Sequence, residues 1–498
     1  MEPYFVGIDI GTGSTKAIAV TIKGIKIKSC QYYYEVNSPK PGWSEQDPEQ
    51  ILSAFTKCIE TIIKNNGTPP LAVSLSSAMH SVICVDMAGK PLYPMITWAD
   101  SRSEEIAQQL RQSPIGESIY KTTGTPIHAM SPLCKLIWLR ENEPDLFNAT
   151  FKFISIKEYI WFHLFKEYSI DYSIASATGL FDIVALNWST EACVLAGINT
   201  EKLSNPVNSN YYKNWPNANL PGKVRKDWGI KFVIGSSDGC CANKGSFINP
   251  GGAASLTIGT SGAVRITSNK PIYNFKSMTF NYLLDEKVFI CGGAVNNGGI
   301  ALKWLISTFL DKQKLKEKDY ENAFNQIDSV RPGSDGLIFL PYLYGERAPI
   351  WNTHTSGVYF NIKPAHTRAH FLRAGLEGIC FALYDVLNSL EDASELIEQI
   401  NISGGFISSL VWTKILADIT NKKLAIVQQE DSSAMGAIFI AMELLGYDFN
   451  TIQINAAQEK DIIPNKLNHI IYQTNFLVYK KLYIDLKDTM DFVNKQKL

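Results

Sequence analysis

Apolar positions fill residues 4–10, break at Gly11-Thr12-Gly13-Ser14, and resume over residues 16–22 and 25–36. Short apolar runs joined by turns rich in Gly, Thr and Ser predict three strands in an antiparallel meander. Asp47-Pro48 then opens a stretch with a different period. Ile51, Leu52, Phe55, Cys58, Ile59, Ile62 and Ile63 recur at helical spacing, which predicts a helix with one buried face. Asp47 stands where it can cap that helix. Pro48 takes the first position, where the missing N–H has no partner to lose. Gly67 follows its end, and residues 71–75 read as a further strand. The predicted order is strand, strand, strand, helix, strand.

The same order begins again half a chain length later. Residues 254–258 and 263–267 read as strands around Gly259-Thr260-Ser261-Gly262, and a further strand pair ends near residues 288–291. Residues 297–309 carry Ile300, Leu302, Trp304, Leu305 and Phe309 in a helical pattern. The turn that follows Asp9 lies over the turn that follows Thr257. So long a repeat predicts two similar domains and not a solenoid. The division falls at residues 1–248 and 249–498, with Asn249-Pro250-Gly251-Gly252 as the connection. Two matched domains enclose a cleft, which is a preferred ligand site and can exclude water by closing.

Composition adds limits. At roughly 150 residues per domain, a chain of 498 residues holds two large domains or three ordinary ones. The 47 Lys+Arg against 48 Asp+Glu leave a net charge of −1. There is no cationic excess for a nucleic-acid backbone or an anionic membrane surface, so neither is an expected partner. The nine cysteines include the adjacent Cys240-Cys241 but no CxxC pair, which suits reduced thiols in the cytoplasm. No basic segment precedes the first apolar run, and no apolar stretch reaches about 18 residues. Neither a secretory signal nor a membrane span is expected.

The chemistry sits at the turns. Gly11-Thr12-Gly13-Ser14-Thr15-Lys16 offers backbone N–H groups, hydroxyls and an ammonium on one hairpin, which is a cradle for phosphate. Asp9 just before it could hold Mg²⁺ through water. Gly259-Thr260-Ser261-Gly262 is a second such turn, and two facing turns could hold different phosphates of one nucleotide. Neither is a P-loop, since the Gly-Lys pairs at Gly89-Lys90 and Gly222-Lys223 lack a following Ser or Thr. At Gly235-Ser236-Ser237-Asp238-Gly239 an apolar strand ends on a lone carboxylate. Asp238 could take a proton from a hydroxyl acceptor. The same residues match the G-x-S-x-G elbow of a hydrolase, with Ser237 as nucleophile and His354, His366 or His370 as base. Gly404-Gly405 follow a strand and would let an adenine approach the backbone. His80 and Trp98 also follow strand-like segments, where polar groups could meet a polyol. Spacing alone favours a structural role for both.

Together these residues resemble the FGGY family of carbohydrate kinases over roughly residues 4–445. The first family signature is present as Met130-Ser131-Pro132-Leu133-Cys134-Lys135-Leu136-Ile137-Trp138-Leu139-Arg140-Glu141-Asn142. The second, within residues 357–377, departs at Asn361 and Gly375. Ser409 and Lys414 replace the Asn and Gln usual in the adenosine region. Residues 76–83, 96–103, 124–128, 171–176, 293–299 and 345–349 look most like members that phosphorylate gluconate.

The resemblance implies an α/β fold of two duplicated ribonuclease-H-like, actin-type ATPase domains with an interdomain catalytic cleft. It implies ATP and Mg²⁺ as cofactors and gluconate as acceptor, with another sugar or aldonate such as xylulose as the alternative. It makes Asp238 the general base and Asp9 the metal-side carboxylate. Phosphate and nucleotide contacts fall to Gly11, Thr12, Ser14, Thr15, Lys16, Gly259, Thr260, Ser261, Gly404, Gly405 and Ser409. Met79, His80 and Trp98 match sugar-site positions. Arg102, with His128 as a second candidate, would meet the substrate carboxylate. A homodimer is one assembly open to such a chain. Readings from other classes are the Ser237 hydrolase and a non-catalytic actin-type nucleotide switch.

Overall fold

The computed structural model describes residues 2–64, 68–214, 229–246, 252–392, 396–427, 431–449, 452 and 461–495. Gly67, Gly222-Lys223 and Asn249-Pro250-Gly251 lie outside them. β1 (Tyr4–Ile10), β2 (Ser14–Thr21) and β3 (Lys26–Tyr33) form the expected antiparallel meander, with Tyr4 opposite Thr21 and Ser14 opposite Tyr33. α1 (Pro48–Lys64) follows, and the Asp47 carboxylate accepts the Glu49 N–H at 2.9 Å. Ile51, Phe55, Cys58, Ile59, Ile62 and Ile63 are all buried against the sheet, as their spacing requires.

The strand Ala72–Ser77 runs parallel to β1, and the strand Lys231–Ser237 runs parallel to it in turn. The first sheet thus has six strands, with Tyr212–Asn214 and β3 at its edges. The second sheet repeats the plan. Gly262–Ser268 lies antiparallel to Ala253–Ile258, and Gln399–Ser403 and then Lys423–Ile426 add in parallel. Phe280–Leu283 and Phe289–Val295 complete its six strands. Parallel neighbours need crossover connections. The parallel partners Ala72–Ser77 and Lys231–Ser237 are accordingly far apart in sequence. The segment between them carries helices and small sheets of its own.

Two helices join the halves. Asp238–Gly245 follows the first sheet, and Ser432–Leu444 returns from the second half to cover the same sheet. Ala434, Ile438 and Phe439 share a buried cluster with Phe5, Val20 and Val233 of that sheet and with Phe280 and Tyr282 of the other. The helices cross at glycines. A Cβ on Gly436 would stand 1.9 Å from the Cys241 carbonyl oxygen, and one on Gly245 2.1 Å from that of Ser432. Only a residue without a side chain permits such an approach.

Candidate active site

The first turn is pinned from behind. The Gly11 N–H donates to the Ser14 carbonyl at 3.0 Å, Tyr34 OH to the Gly11 carbonyl at 2.5 Å, and Gln46 to the Thr12 carbonyl at 2.7 Å. The Thr12 hydroxyl accepts Trp98 Nε1–H at 2.8 Å, and Ser14 Oγ accepts Gln31 Nε2–H at 2.8 Å. Thr15 departs from the expected phosphate contact. Side chains alternate along a strand, so Thr15 points to the other face. It is fully buried there, 3.3 Å from Tyr34 OH. Lys16 does not stand free over the turn either. Its ammonium pairs with Asp431, whose other oxygen takes Lys26 at 3.0 Å. In the second turn the Gly259 N–H donates to the Ser261 carbonyl at 2.9 Å, and Gly259 and Thr260 are exposed.

Asp9 lies near the end of β1, and Asp238 opens the helix that follows Lys231–Ser237, two strands away in the same sheet. Ser76 Oγ donates to Asp9 Oδ1 at 2.8 Å. Burial and the nearby Asp238 charge push the Asp9 carboxyl up to about 6. Asp238 opens its helix, where the Gly239 N–H donates to Oδ1 at 2.7 Å. Burial raises the Asp238 carboxyl against that amide and against Arg265. The strand leading to it bulges at Gly235, which adopts φ 68°. Lys157, which no sequence motif marks, holds its end: Nζ donates to the Ser236 carbonyl and to Asp171, both at 2.8 Å.

Thr12, Met79, His80, Trp98 and Asp238 line one cavity of about 230 Å³, and Ser261, Arg265, Tyr282 and Arg347 line it from the second half. His80 Nδ1 lies 2.7 Å from the Ala177 carbonyl, which can only accept, so Nδ1 carries the proton. Nε2 then accepts Tyr282 OH at 3.3 Å. Burial drives the imidazole down to about 3, so His80 is a neutral hydrogen-bonding bridge between the halves. Lys135, within the first signature, donates to the His80 and Thr97 carbonyls at 2.6 and 2.7 Å. That fixes both segments of this wall.

Arg102 corrects the sequence expectation. Its guanidinium grips both oxygens of Asp100 at 2.8 Å and Glu45 at 2.7 Å, and lies 3.7 Å over the Trp43 ring. A fork whose donors are taken by two buried carboxylates has no role in the cavity, which it does not line. His128 does not line it either; it packs on Trp351 at 5.3 Å. Instead the cavity holds Arg347, from the matching stretch 345–349 but with no role assigned to it there, and Arg265, which no local motif marks.

The hydrolase reading also fails. Ser237 Oγ accepts from Ser173 Oγ at 2.6 Å and caps the Asp238–Gly245 helix through the Cys240 N–H at 3.3 Å. His370 instead faces Asp335 at 3.2 Å, with His366 stacked on it. His354 accompanies neither Ser237 nor the cavity.

A second cavity, of about 390 Å³, opens beyond the second turn between Gly259, Tyr320, Phe324, Gly405, Ser409 and Trp412. Glycines beside aromatic rings suit a flat base. Gly405 is open, since a Cβ there would meet nothing within 4 Å, whereas Gly404 at φ 105° abuts the Ile258 carbonyl and serves the turn. Ser409 Oγ caps the helix Leu410–Thr420 by accepting the Trp412 N–H at 3.3 Å. Lys414 does not line this cavity. The second turn therefore borders both cavities, Gly259 on one side and Ser261 on the other.

The chain matches the N-terminal domain of the FGGY family of carbohydrate kinases over residues 4–245 and its C-terminal domain over residues 254–444. It is 39% identical to a gluconokinase from Bacillus subtilis, over 90% of this chain and 88% of that one. Among solved structures, a xylulose kinase from Lactobacillus acidophilus superposes with TM-score 0.92 at 30% identity, covering 99% of this chain and 100% of that one. A gluconate kinase from the same organism superposes with TM-score 0.90 at 30% identity, covering 98% of each. The duplicated sheets are thus the two actin-type, ribonuclease-H-like domains of ATP-dependent phosphotransferases acting on a sugar hydroxyl, and the chain belongs to the FGGY family of carbohydrate kinases.

Proposed function

We propose that this chain transfers the γ-phosphoryl group of ATP to the terminal hydroxyl of D-gluconate, giving 6-phosphogluconate, in the cytoplasm. The observation that carries the chemistry is Asp238, a half-buried carboxylate at a helix start, in a cavity walled by both halves. The base occupies the aromatic cavity and the phosphates lie between the two turns, reaching past Gly259 to Thr12 and Ser261. The acceptor hydroxyl lies at Asp238. Its oxygen attacks the γ-phosphorus, the bond to the β-phosphate oxygen breaks, and Asp238 takes the proton. Trp98 and neutral His80 hold the polyol, and the cavity walls exclude water.

Mg²⁺ fits the carboxylates present. Among the described residues no group of three or more His, Cys, Asp or Glu forms a closed metal cage. Asp9 beside Asp238 is instead a pair whose mutual repulsion a cation would relieve. A magnesium ion commonly keeps several waters and needs one or two carboxylates plus phosphate oxygens. Asp9 would hold it, and bound there it neutralises phosphate charge.

The acceptor assignment is supported by the gluconokinase relative and by the two cationic side chains in the cavity. Likeness to a xylulose kinase structure makes a neutral ketose the alternative. An assay of ATP consumption with gluconate, xylulose and glycerol tests the choice, and preference for xylulose would overturn gluconate. In the same assay Asp238→Asn should lower kcat by about 10²–10⁴-fold while the protein stays folded and binds ATP. Retained turnover would remove the base from Asp238.

A further inference from the structure

Among the described residues the arginines other than Arg265, buried or exposed, all find acceptors. Arg102 holds Asp100 and Glu45, Arg373 holds Glu377 and Tyr472, and Arg111 holds Glu104 and the Ile127 carbonyl. Arg347 donates Nε–H to Asn296 at 2.7 Å and reaches the Val295 carbonyl at 3.3 Å. Arg265 breaks the rule. Among the described residues no hydrogen bond or ion pair is formed by its guanidinium, which faces the acceptor cavity. Asp238 is near enough to act on its charge but forms no ion pair with it. Arg265 follows the second turn on Gly262–Ser268, where alternation puts Ala263 and Arg265 on the cavity side together.

Arg265 is half-buried, so its free donors are left to whatever enters the cavity, and an anion there would gain charge-assisted hydrogen bonds from them. The cavity already holds a second cation. Arg347 lies over Trp98 at 5.5 Å, close enough to Arg265 for the two charges to repel. Glu346 offsets part of the Arg347 charge from behind the wall, but Asp238 is the one carboxylate in the cavity lining, and it must remain free for the hydroxyl. The remaining polar wall is uncharged: Thr12, neutral His80, Trp98 and Tyr282. Such a cavity is a receptor for a polyol that carries its own negative charge.

We propose that Arg265, with Arg347 beside it, binds the carboxylate of the acceptor and so sets a preference for sugar acids over neutral sugars. This rests on the sugar-acid reading of the site and assigns the recognition to a residue outside every local motif. The guanidinium fork presents two parallel N–H donors to the two carboxylate oxygens. A neutral polyol in the same place leaves those donors unpaired, which is how a site built for a polar group rejects a substrate that lacks it.

The test compares kcat/KM for gluconate and for glucitol, its uncharged analogue, in wild type, Arg265→Gln and Arg265→Lys. Thermal unfolding confirms that each variant is folded. The expected result is that the gluconate-to-glucitol ratio falls by about 30-fold or more in Arg265→Gln, mainly through KM. Arg265→Lys should recover part of the loss, because it restores charge without the fork. An equal loss on both substrates, or a shift of the acid limb of the pH profile with the ratio unchanged, would overturn the proposal. Arg265 would then act on Asp238 or on the phosphoryl group. If wild type ignores gluconate but phosphorylates another aldonate with the same selective loss, gluconate falls and the role of Arg265 stands. If wild type accepts only neutral sugars, both fall.

Discussion

Arg102 and Arg265 differ in what surrounds them, and the difference decides their roles. Arg102 shares its motif with Asp100, but its other partner, Glu45, is 57 residues away. Its side chain is 1% exposed. Arg102→Leu should therefore act as the breaking of a buried ion pair, costing about 3–5 kcal/mol. It should lower turnover of gluconate and glucitol alike, as urea unfolding and paired kinetics would show. A loss confined to gluconate would return the carboxylate to Arg102. Asp9 carries a pH signature. Its folded carboxyl stands near 6 against the usual 3.8, so the folded chain binds this proton more tightly than the unfolded one. The stability it contributes is full below about pH 4 and is lost as pH rises to about 6. The ionised group costs about 3 kcal/mol above that window. Nucleotide-free Asp9→Asn should lose less stability than wild type between pH 4 and 7, while losing kinase activity. Denaturant midpoints at both pH values check this, and an identical decline would exclude Asp9 as the source.

At the scale of elements, the chemistry depends on how two helices cross. Asp238 opens Asp238–Gly245, and three residues on, Cys241 offers its carbonyl to the space that Gly436 leaves empty. Gly436→Ala should force the helices apart, at about 1–3 kcal/mol for overpacking. It should lower kcat by moving Asp238, although residue 436 touches neither cavity. Unfolding curves and kinetics of the variant measure both effects; unchanged stability would mean that the crossing relaxes freely. The strands and α1 were legible because period-two and helical patterns report burial locally. The aromatic wall of the second cavity, proposed above for the nucleotide base, was not. Tyr320 and Phe324 lie on Glu317–Asp328, and Trp412 on a helix reached much later in the chain.

At the scale of the molecule, each half supplies one turn and one part of the acceptor cavity. The His80–Tyr282 hydrogen bond and the pairing of Lys16 and Lys26 with Asp431 join residues far apart in sequence across this arrangement. A ligand that touches both walls favours their approach, so an ATP analogue with gluconate should compact the protein more than either alone. Small-angle scattering of the four states tests this. An unchanged radius in the ternary complex would count against closure.

The sequence by itself determined the duplicated strand order, the two Gly/Thr/Ser turns, the capped first helix and the carboxylates at Asp9 and Asp238. Each is a local pattern or a residue at the end of one. The tertiary structure decided what those residues face. Thr15 turned inward because strands alternate, Ser237 became a helix cap, and Arg102 closed on acids from two segments. Among the described residues, Arg265 was left without an acceptor, lining the same cavity as Asp238. Pairing and burial are set by groups distant in sequence, so the two arginines of one cavity came together only when both halves enclosed it.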